Sequence, residues 1–114
     1  MIITKTPFRV SFCGGGSDMP SFYRENGGCV LSTTINRYMY ITVHPYFDPD
    51  ITALRYSKIE IVDDLKKIEH RILHSVLNDM QISGVEISST ADVPSGTGLG
   101  SSSSFTVGLL HTLY

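Results

Sequence analysis

The sequence predicts an α+β domain built on a mostly antiparallel sheet with helices on one face. Three observations support this class: an alternating, β-rich first half, a later segment with helical apolar spacing, and a glycine-rich loop between a strand and a helix. The 114 residues allow one small domain. Apolar residues make up 41% and charged residues 18%, which is ordinary for a folded protein.

The first half of the chain contains the predicted strands. Large apolar residues alternate with polar ones over 8–13, three glycines follow, and Pro20 begins a short helix through Tyr23. A long β-rich stretch covers 29–47, and a further strand is expected over 55–62. Within the long stretch, one face carries Tyr38, Tyr40 and Thr42 and the other carries Met39, Ile41 and Val43.

Two helices and one more strand are predicted in the second half. Asp63 or Asp64 is expected to cap a helix with apolar residues at three- and four-residue spacing from Leu65 to Met80. A strand follows over 85–91, then a loop over 92–100, then a helix from about 101. That last helix is still in full apolar pattern at Tyr114, so we expect the chain to be a truncated domain.

Charge and cysteine content narrow the class of protein. The net charge is −2 and the basic residues are scattered, which disfavours a nucleic-acid-binding surface. No apolar stretch approaches the ~20 residues of a membrane span, and the N-terminus lacks the pattern of a signal peptide. A cytoplasmic protein without a membrane partner is therefore expected. Cys13 and Cys29 lack metal-site spacing and are expected to be buried free thiols.

The segment 94–104, Pro-Ser-Gly-Thr-Gly-Leu-Gly-Ser-Ser-Ser-Ser, carries the strongest functional signal. Its three alternate glycines allow left-handed backbone and close approach to a ligand, and its serines begin a helix. Unpaired N–H groups at a helix N-terminus are suited to phosphate. The loop is neither a Walker A sequence nor GxGxxG. The competing interpretation is a flexible Gly/Ser loop with an N-capping serine.

This segment resembles the ATP-phosphate motif of the GHMP kinases, with serine at 103 and 104 where alanine is commoner. The resemblance implies an ATP- and Mg²⁺-dependent small-molecule kinase. It also implies a fold related to a ribosomal-protein domain. Ser102 would ligate Mg²⁺, and the cofactor-binding set would be Pro94, Gly96, Gly98, Leu99, Gly100, Ser101, Ser102 and Ser103.

A second motif, Thr6-Pro-Phe-Arg-Val-Ser-Phe-Cys-Gly-Gly-Gly-Ser-Asp-Met-Pro20, lies upstream. Asp18 can accept hydrogen bonds from two sugar hydroxyls, and Arg9 can supply positive charge near the transferred phosphoryl group. The competing interpretations are a helix N-cap for Asp18 and a surface strand charge for Arg9. With the downstream loop, the motif predicts Arg9 as catalytic and Gly15, Gly16, Ser17 and Asp18 as substrate-binding.

Within the superfamily, this motif looks most like that of the D-glycero-D-manno-heptose 7-phosphate kinases, which phosphorylate an anomeric hydroxyl. Fucokinase-type sugar 1-kinases are the nearest competitor. A heptose phosphate requires a cationic clamp, for which Arg24, Arg37 and Arg55 are candidates.

The resemblance also implies that a catalytic carboxylate and a second Mg²⁺ ligand lie downstream of Tyr114, together with a C-terminal domain. The 114-residue chain alone is therefore expected to have little or no activity. An exposed stripe over 105–113 is expected to favour a homo-oligomer or association with the missing part. His70 and His74 suggest a metal site or a solvated helix face. A non-catalytic RNA- or protein-binding fragment is the remaining alternative.

Overall fold

Five strands form one sheet in the computed structural model, which describes residues 1–114. They are β1 (Ile2–Cys13), β2 (Leu31–Pro45), β3 (Thr52–Arg55), β4 (Ile59–Val62) and β5 (Val85–Ala91). Their order across the sheet is β1-β2-β5-β3-β4, and only the β3–β5 pair is parallel. The predicted mostly antiparallel sheet is confirmed.

Three α-helices accompany the sheet: α1 (Pro20–Asn26), α2 (Arg71–Met80) and α3 (Ser101–Leu113). The core joins one face of the sheet to α2 and α3, whereas α1 buries no side chain. None of the helices has the length and apolar character required to cross a lipid bilayer. The buried apolar cluster consists of Phe8, Met39, Ile41, Val43, Leu54, Ile68, Leu73, Leu77, Ile87, Phe105 and Leu109.

The alternation predicted for β2 is confirmed. Met39, Ile41 and Val43 are buried in the core, whereas Tyr38 and Tyr40 are half-buried on the opposite face. Strand β5 also occupies the predicted residues. The strand period of two places alternate side chains on opposite faces, so the pattern of apolar residues sets which face meets the helices.

The prediction of a single strand over 55–62 is wrong, because two strands and a turn occupy this region. Arg55 ends β3 and Ile59 begins β4, and the two strands form an antiparallel hairpin. The N–H of Tyr56 donates to the carbonyl of Lys58 at 2.9 Å and closes the turn. Four-residue strands carry too little periodic signal for the turn between them to be recognised from sequence.

The predicted start of the first long helix is also wrong. Asp64 caps only a short 3₁₀ turn (Leu65–Lys67), accepting from the N–H of Lys66 at 2.9 Å. Ile68 is then extended and buried, and α2 begins after His70. The Nδ1 atom of His70 accepts from the N–H of Leu73 at 3.4 Å. The chain leaves helical geometry because Ile68 must reach the core.

Two predictions about exposure need correction. Phe105 and Leu109 are buried against the sheet, so the stripe over 105–113 is not exposed as a whole; among its members Val107 and Leu110 face solvent. Cys13 and Cys29 are free, as expected, but both are exposed. They lie where β1 ends and before β2 begins, beyond the part of the sheet that the helices cover.

Candidate phosphate- and sugar-binding site

The loop between β5 and α3 depends on glycine at three positions. Gly96, Gly98 and Gly100 have φ angles of 80°, 73° and 77°, the left-handed region that disfavours other residues. Gly100 is also the N-cap of α3 and supplies no capping side chain. Because these residues have no side chains, the backbone of the loop next to the start of α3 is accessible to a ligand.

The first turn of α3 presents unpaired donors beside this loop. The N–H of Ser104 donates to the carbonyl of Gly100 at 2.9 Å, so the N–H groups of 101–103 precede the intrahelical bonds. The side chains of Ser102 and Ser103 are exposed, and their hydroxyls make no hydrogen bond within the chain. Aligned with the positive end of the helix dipole, these groups form a cradle for an anion.

The base of the loop is tied to β2 through Asp92. Its carboxylate accepts from the N–H of Tyr38 at 2.8 Å, and its own N–H donates to the carbonyl of Tyr38 at 3.0 Å. Within the loop, the hydroxyl of Thr97 donates to the carbonyl of Pro94 at 3.2 Å. Asp92 was not among the predicted site residues, because its only signal in the sequence is a carboxylate at the strand–loop junction.

Arg9 connects β1 to the far end of the same loop. Its N–H donates to the carbonyl of Leu99 at 3.1 Å, and its Nη1 donates to the carbonyl of Gly98 at 3.3 Å. A methyl group at position 100 would lie 3.3 Å from the Cγ and Nε atoms of Arg9. Arg9 is thus a half-buried charge on β1 whose backbone and side chain are both bonded to the loop.

The loop after β1 folds back on the segment before β2. Gly14 has a φ of 80°, and a methyl group there would lie 1.9 Å from the carbonyl oxygen of Cys29, so only glycine fits. The hydroxyl of Ser17 lies 2.7 Å from the carbonyl of Gly14 and 2.9 Å from that of Cys29, and it accepts from the N–H of Cys29 at 3.2 Å. Ser17 thus holds the loop together.

Asp18 does not act as the N-cap of α1. Met19 occupies that position and makes no capping side-chain hydrogen bond. The carboxylate of Asp18 is exposed and accepts only from the N–H of Gly16 at 3.2 Å, which leaves most of its acceptor capacity free.

Two depressions meet at Arg9. The first, of about 510 Å³, is lined by Arg9, Ser11, Gly15, Gly16, Asp18, Met19, Pro20 and Gly98. The second, of about 300 Å³, is lined by Arg9, Gly96, Gly98, Gly100, Ser101, Ser102 and Ser103. Arg9 and Gly98 belong to both, and Arg9 and Asp18 are the charged side chains in them.

The structure does not bring every predicted residue to these depressions. Pro94 is exposed at the start of the loop, and Leu99 packs against the core. Ser17 lines a neighbouring depression of about 360 Å³ on the other side of Asp18. No group of three or more His, Cys, Asp or Glu residues is arranged to hold a metal ion. A metal here would depend on hydroxyl and ligand oxygens.

The three candidate clamp arginines do not line either depression. Arg55 pairs with Glu86 at 2.7 Å, and Arg37 donates to the carbonyl of the adjacent Asn36 at 2.9 Å. Arg24 lies in the last turn of α1. On the open face of the sheet, the Nζ of Lys5 sits 3.9 Å above the ring of Tyr38.

The largest depression, of about 620 Å³, lies elsewhere, and its lining shares no residue with the two at Arg9. His70 borders it, and its ring packs against Tyr56 and Phe105 with centroid distances of 4.7 and 5.1 Å. His70 is the N-cap of α2, His74 follows inside the helix, and both side chains are half-buried. Its lining is His70, Arg71, Ile72, Ser75, Val76 and Thr106.

The hydroxyl of Tyr56 donates to Glu60 at 2.5 Å beside that depression. This hydrogen bond, with burial and the negative charges of Glu60 and Glu69, raises the pKa of Tyr56 to about 12. Burial acts to raise the pKa of Glu60, but hydrogen bonds from Tyr56 and from the N–H groups of Glu69 and His70 outweigh it and lower that pKa.

The fold and the site together define a class of domain: an α+β domain with a glycine loop and an anion cradle at the N-terminus of a helix. Residues 60–114 match the family model described as the GHMP kinases N terminal domain. Over this segment the chain is similar to the N-terminal domain of the GHMP kinases. It is 31% identical, over 96% of its length, to a D-glycero-alpha-D-manno-heptose 7-phosphate kinase of Campylobacter jejuni.

Solved structures share the fold. A D-glycero-D-manno-heptose 1-phosphate kinase from Bacteroides thetaiotaomicron superposes with a TM-score of 0.81 at 24% identity, over 96% of this chain and 40% of that one. The mevalonate kinase of Methanococcus jannaschii gives 0.74 at 22% identity, over 98% and 39%. The chain spans 36% of the length of the curated Campylobacter relative.

Proposed function

We propose that residues 1–114 form the sugar- and ATP-phosphate-binding part of an ATP-dependent sugar kinase. The observation that carries this proposal is the position of Arg9 in the walls of two adjacent depressions. One depression contains an exposed carboxylate, and the other contains the unpaired N–H groups at the start of α3. A fixed cation between two such sites suits phosphoryl transfer, which depends on positioning and charge stabilisation.

The phosphate depression has the features that a triphosphate requires. Its glycines adopt left-handed φ angles, its donors are unpaired, and no side chain of 96, 98 or 100 covers the backbone. We propose that Ser101–Ser103 and Arg9 hold the phosphates and that the free hydroxyl of Ser102 contributes one Mg²⁺ ligand. When bound, Mg²⁺ supplies charge neutralisation on the phosphate oxygens.

The other depression suits a sugar. Asp18 accepts hydrogen bonds from vicinal hydroxyls, and the backbone of Gly15 and Gly16 allows a ring to approach closely. We propose D-glycero-D-manno-heptose 7-phosphate, phosphorylated at its anomeric hydroxyl, as the substrate. Support comes from the motif of 6–20 and from the printed activity of the relative that is 31% identical.

Two alternatives are kept. A fucokinase-type enzyme would use the same depressions for a sugar without a phosphate, with Arg9 as the one arginine in the lining. A non-catalytic RNA- or protein-binding fragment would instead use the open face of the sheet, where Lys5 stacks on Tyr38. For either kinase we propose a cytoplasmic location, where ATP is available.

Calorimetry of the 114-residue chain with ATP, with and without Mg²⁺, tests the nucleotide half of the proposal. We expect binding that strengthens when Mg²⁺ is present. Absence of any heat of binding at millimolar ATP would make the loop structural and bring the binding-module alternative forward. A titration with a short single-stranded RNA then serves as the direct test of that alternative.

The sugar half is tested by titrating the chain with heptose 7-phosphate and, separately, with L-fucose. We expect the heptose phosphate to bind and an Asp18→Asn variant to bind it more weakly. Binding of L-fucose alone would select the fucokinase-type enzyme. Sedimentation of the same samples reports whether the chain self-associates through the exposed members of α3.

A further inference from the structure

Ser104 is a buried polar residue in the first turn of α3. It is 5% exposed, and its hydroxyl donates to the carbonyl of Pro7, 97 residues away in sequence, at 3.0 Å. Among the four consecutive serines of 101–104, only this hydroxyl makes a hydrogen bond within the chain. Its role therefore differs from that of its exposed neighbours.

The carbonyl that Ser104 holds lies where β1 and β2 leave regular register. Pro7 pairs with Tyr38, whereas Arg9, two residues on, pairs with Thr34. Two extra residues of β2 are accommodated there, so the regular ladder is interrupted immediately before Arg9. The backbone of β1 at this point therefore needs hydrogen-bond partners outside strand β2.

Three hydrogen bonds join this irregular segment to the phosphate loop and its helix. They run from Ser104 Oγ to Pro7 O (3.0 Å), from Arg9 N to Leu99 O (3.1 Å), and from Arg9 Nη1 to Gly98 O (3.3 Å). Pro7 and Arg9 are thus bonded to residues on both sides of the N-cap of α3, at 98–99 and at 104.

We propose that Ser104 is a positioning residue that sets Arg9 against the first turn of α3. The hydroxyl of Ser104 fixes the position of β1 against α3. The guanidinium of Arg9 and the N–H groups of 101–103 then line the same depression. The contact itself stands independently; its consequence for a phosphate ligand rests on the proposed function. Donors aimed at one anion act together only when their spacing is fixed.

Amide hydrogen exchange tests the contact without any ligand. In Ser104→Ala we expect the N–H of Arg9 to exchange at least about tenfold faster, relative to the amides of β5, because its bond to Leu99 opens more often. The matched control is Thr112→Val, which removes another buried hydroxyl between α3 and β1, at 2.8 Å from Thr4. Unchanged relative exchange of Arg9 in Ser104→Ala would overturn the proposal.

Calorimetry with Mg·ATP and with inorganic tripolyphosphate tests the consequence. We expect Ser104→Ala to weaken binding about three- to tenfold and Thr112→Val to leave it unchanged. In an Arg9→Met background, Ser104→Ala should cause no further loss, since it acts through Arg9. If the losses of binding free energy in the two single variants add fully in the double variant, Ser104 does not act through Arg9. Failure of the unmodified chain to bind would count against the proposed function, while the exchange result still decides the contact.

Discussion

Arg9 illustrates how one residue connects parts of the chain that are remote in sequence. Its backbone and side chain contact residues 98 and 99, and its guanidinium borders the depression that contains Asp18. The guanidinium donates to the backbone carbonyl of Gly98, which orients it without neutralising its charge. Its charge therefore remains available to an anionic ligand.

We expect Arg9→Met to weaken Mg·ATP binding by about tenfold or more, because a charge-assisted hydrogen bond contributes about 1.5–3 kcal/mol. Calorimetry on the 114-residue chain measures the change. Lys58→Met is the matched control, since it removes a positive charge from an exposed pair with Glu69 on the hairpin. Equal losses in both variants would mean that only the overall charge matters.

The loop after β1 supports a second prediction at this scale. Gly14→Ala should lower the free energy of unfolding by about 2 kcal/mol or more, because it combines a left-handed φ with a clash against Cys29. Gly15→Ala, whose new methyl group would meet no atom within 4 Å, should change it by less than about 0.5 kcal/mol. Urea unfolding compares them, and similar values would contradict the tight packing at Gly14.

At the scale of elements, α3 is seated on β1 by polar groups as well as by apolar packing. The buried hydroxyl of Thr4 donates to the carbonyl of Gly108 at 3.0 Å and contacts Thr112 at 2.8 Å. Gly108 allows this approach, since a methyl group there would lie 2.8 Å from the hydroxyl of Thr6. These contacts seat the C-terminal half of α3 on β1, away from the first turn of the helix.

The β3–β4 hairpin gives a pH-dependent prediction. Tyr56 has a folded-state pKa raised to about 12 from 10.0, so its stabilising effect is complete below pH 10 and is lost as pH rises towards 12. We expect the stability difference between the unmodified chain and Tyr56→Phe to shrink over that window. Urea unfolding at several pH values measures it, and a pH-independent difference would show that the hydrogen bond to Glu60 does not perturb Tyr56.

The acceptor of the same hydrogen bond, Glu60, stabilises the fold with the opposite pH dependence. The pKa of Glu60 is lowered from 4.5, so its contribution is present above pH 4.5 and is lost as pH falls through the lower folded value. A Glu60→Gln variant should therefore lose less stability on acidification than the unmodified chain.

At the scale of the whole molecule, the shape is elongated, with extents of 49 × 31 × 24 Å. The radius of gyration is 16.0 Å, against about 13 Å for a compact chain of this length. No residue from 18 to 38 is buried, and this region includes α1 and part of the first motif. The loop of 14–18, for which we propose sugar binding, thus lies in a region without buried residues, whereas the loop of 94–100 adjoins α3, which packs on the core.

The composition of the two depressions predicts the behaviour of the isolated chain. Asp18 is their only carboxylate, so no separate base or acidic metal ligand is present there. We expect the 114-residue chain to bind Mg·ATP but to turn over by orders of magnitude more slowly than the Campylobacter jejuni relative. An ADP-release assay with heptose 7-phosphate measures this, with the Campylobacter jejuni relative as the positive control. Turnover equal to that of the relative would contradict the prediction.

The sequence alone determined the α+β class, the two faces of β2 and the position of the glycine loop between β5 and α3. These features depend on local properties: strands repeat every two residues, and glycines at 96, 98 and 100 permit backbone that other residues disfavour. Each of these patterns lies within a few consecutive residues, so it can be recognised without knowledge of contacts between distant parts of the chain.

Only the tertiary structure decided where the remaining residues act. The contacts of Ser104 with Pro7, of Arg9 with Gly98 and of Asp92 with Tyr38 join residues 54 to 97 positions apart. The same holds for the late start of α2 and the exposure of both cysteines. Such contacts arise from how strands and helices pack together, and packing depends on the whole chain because many alternatives satisfy the same local pattern.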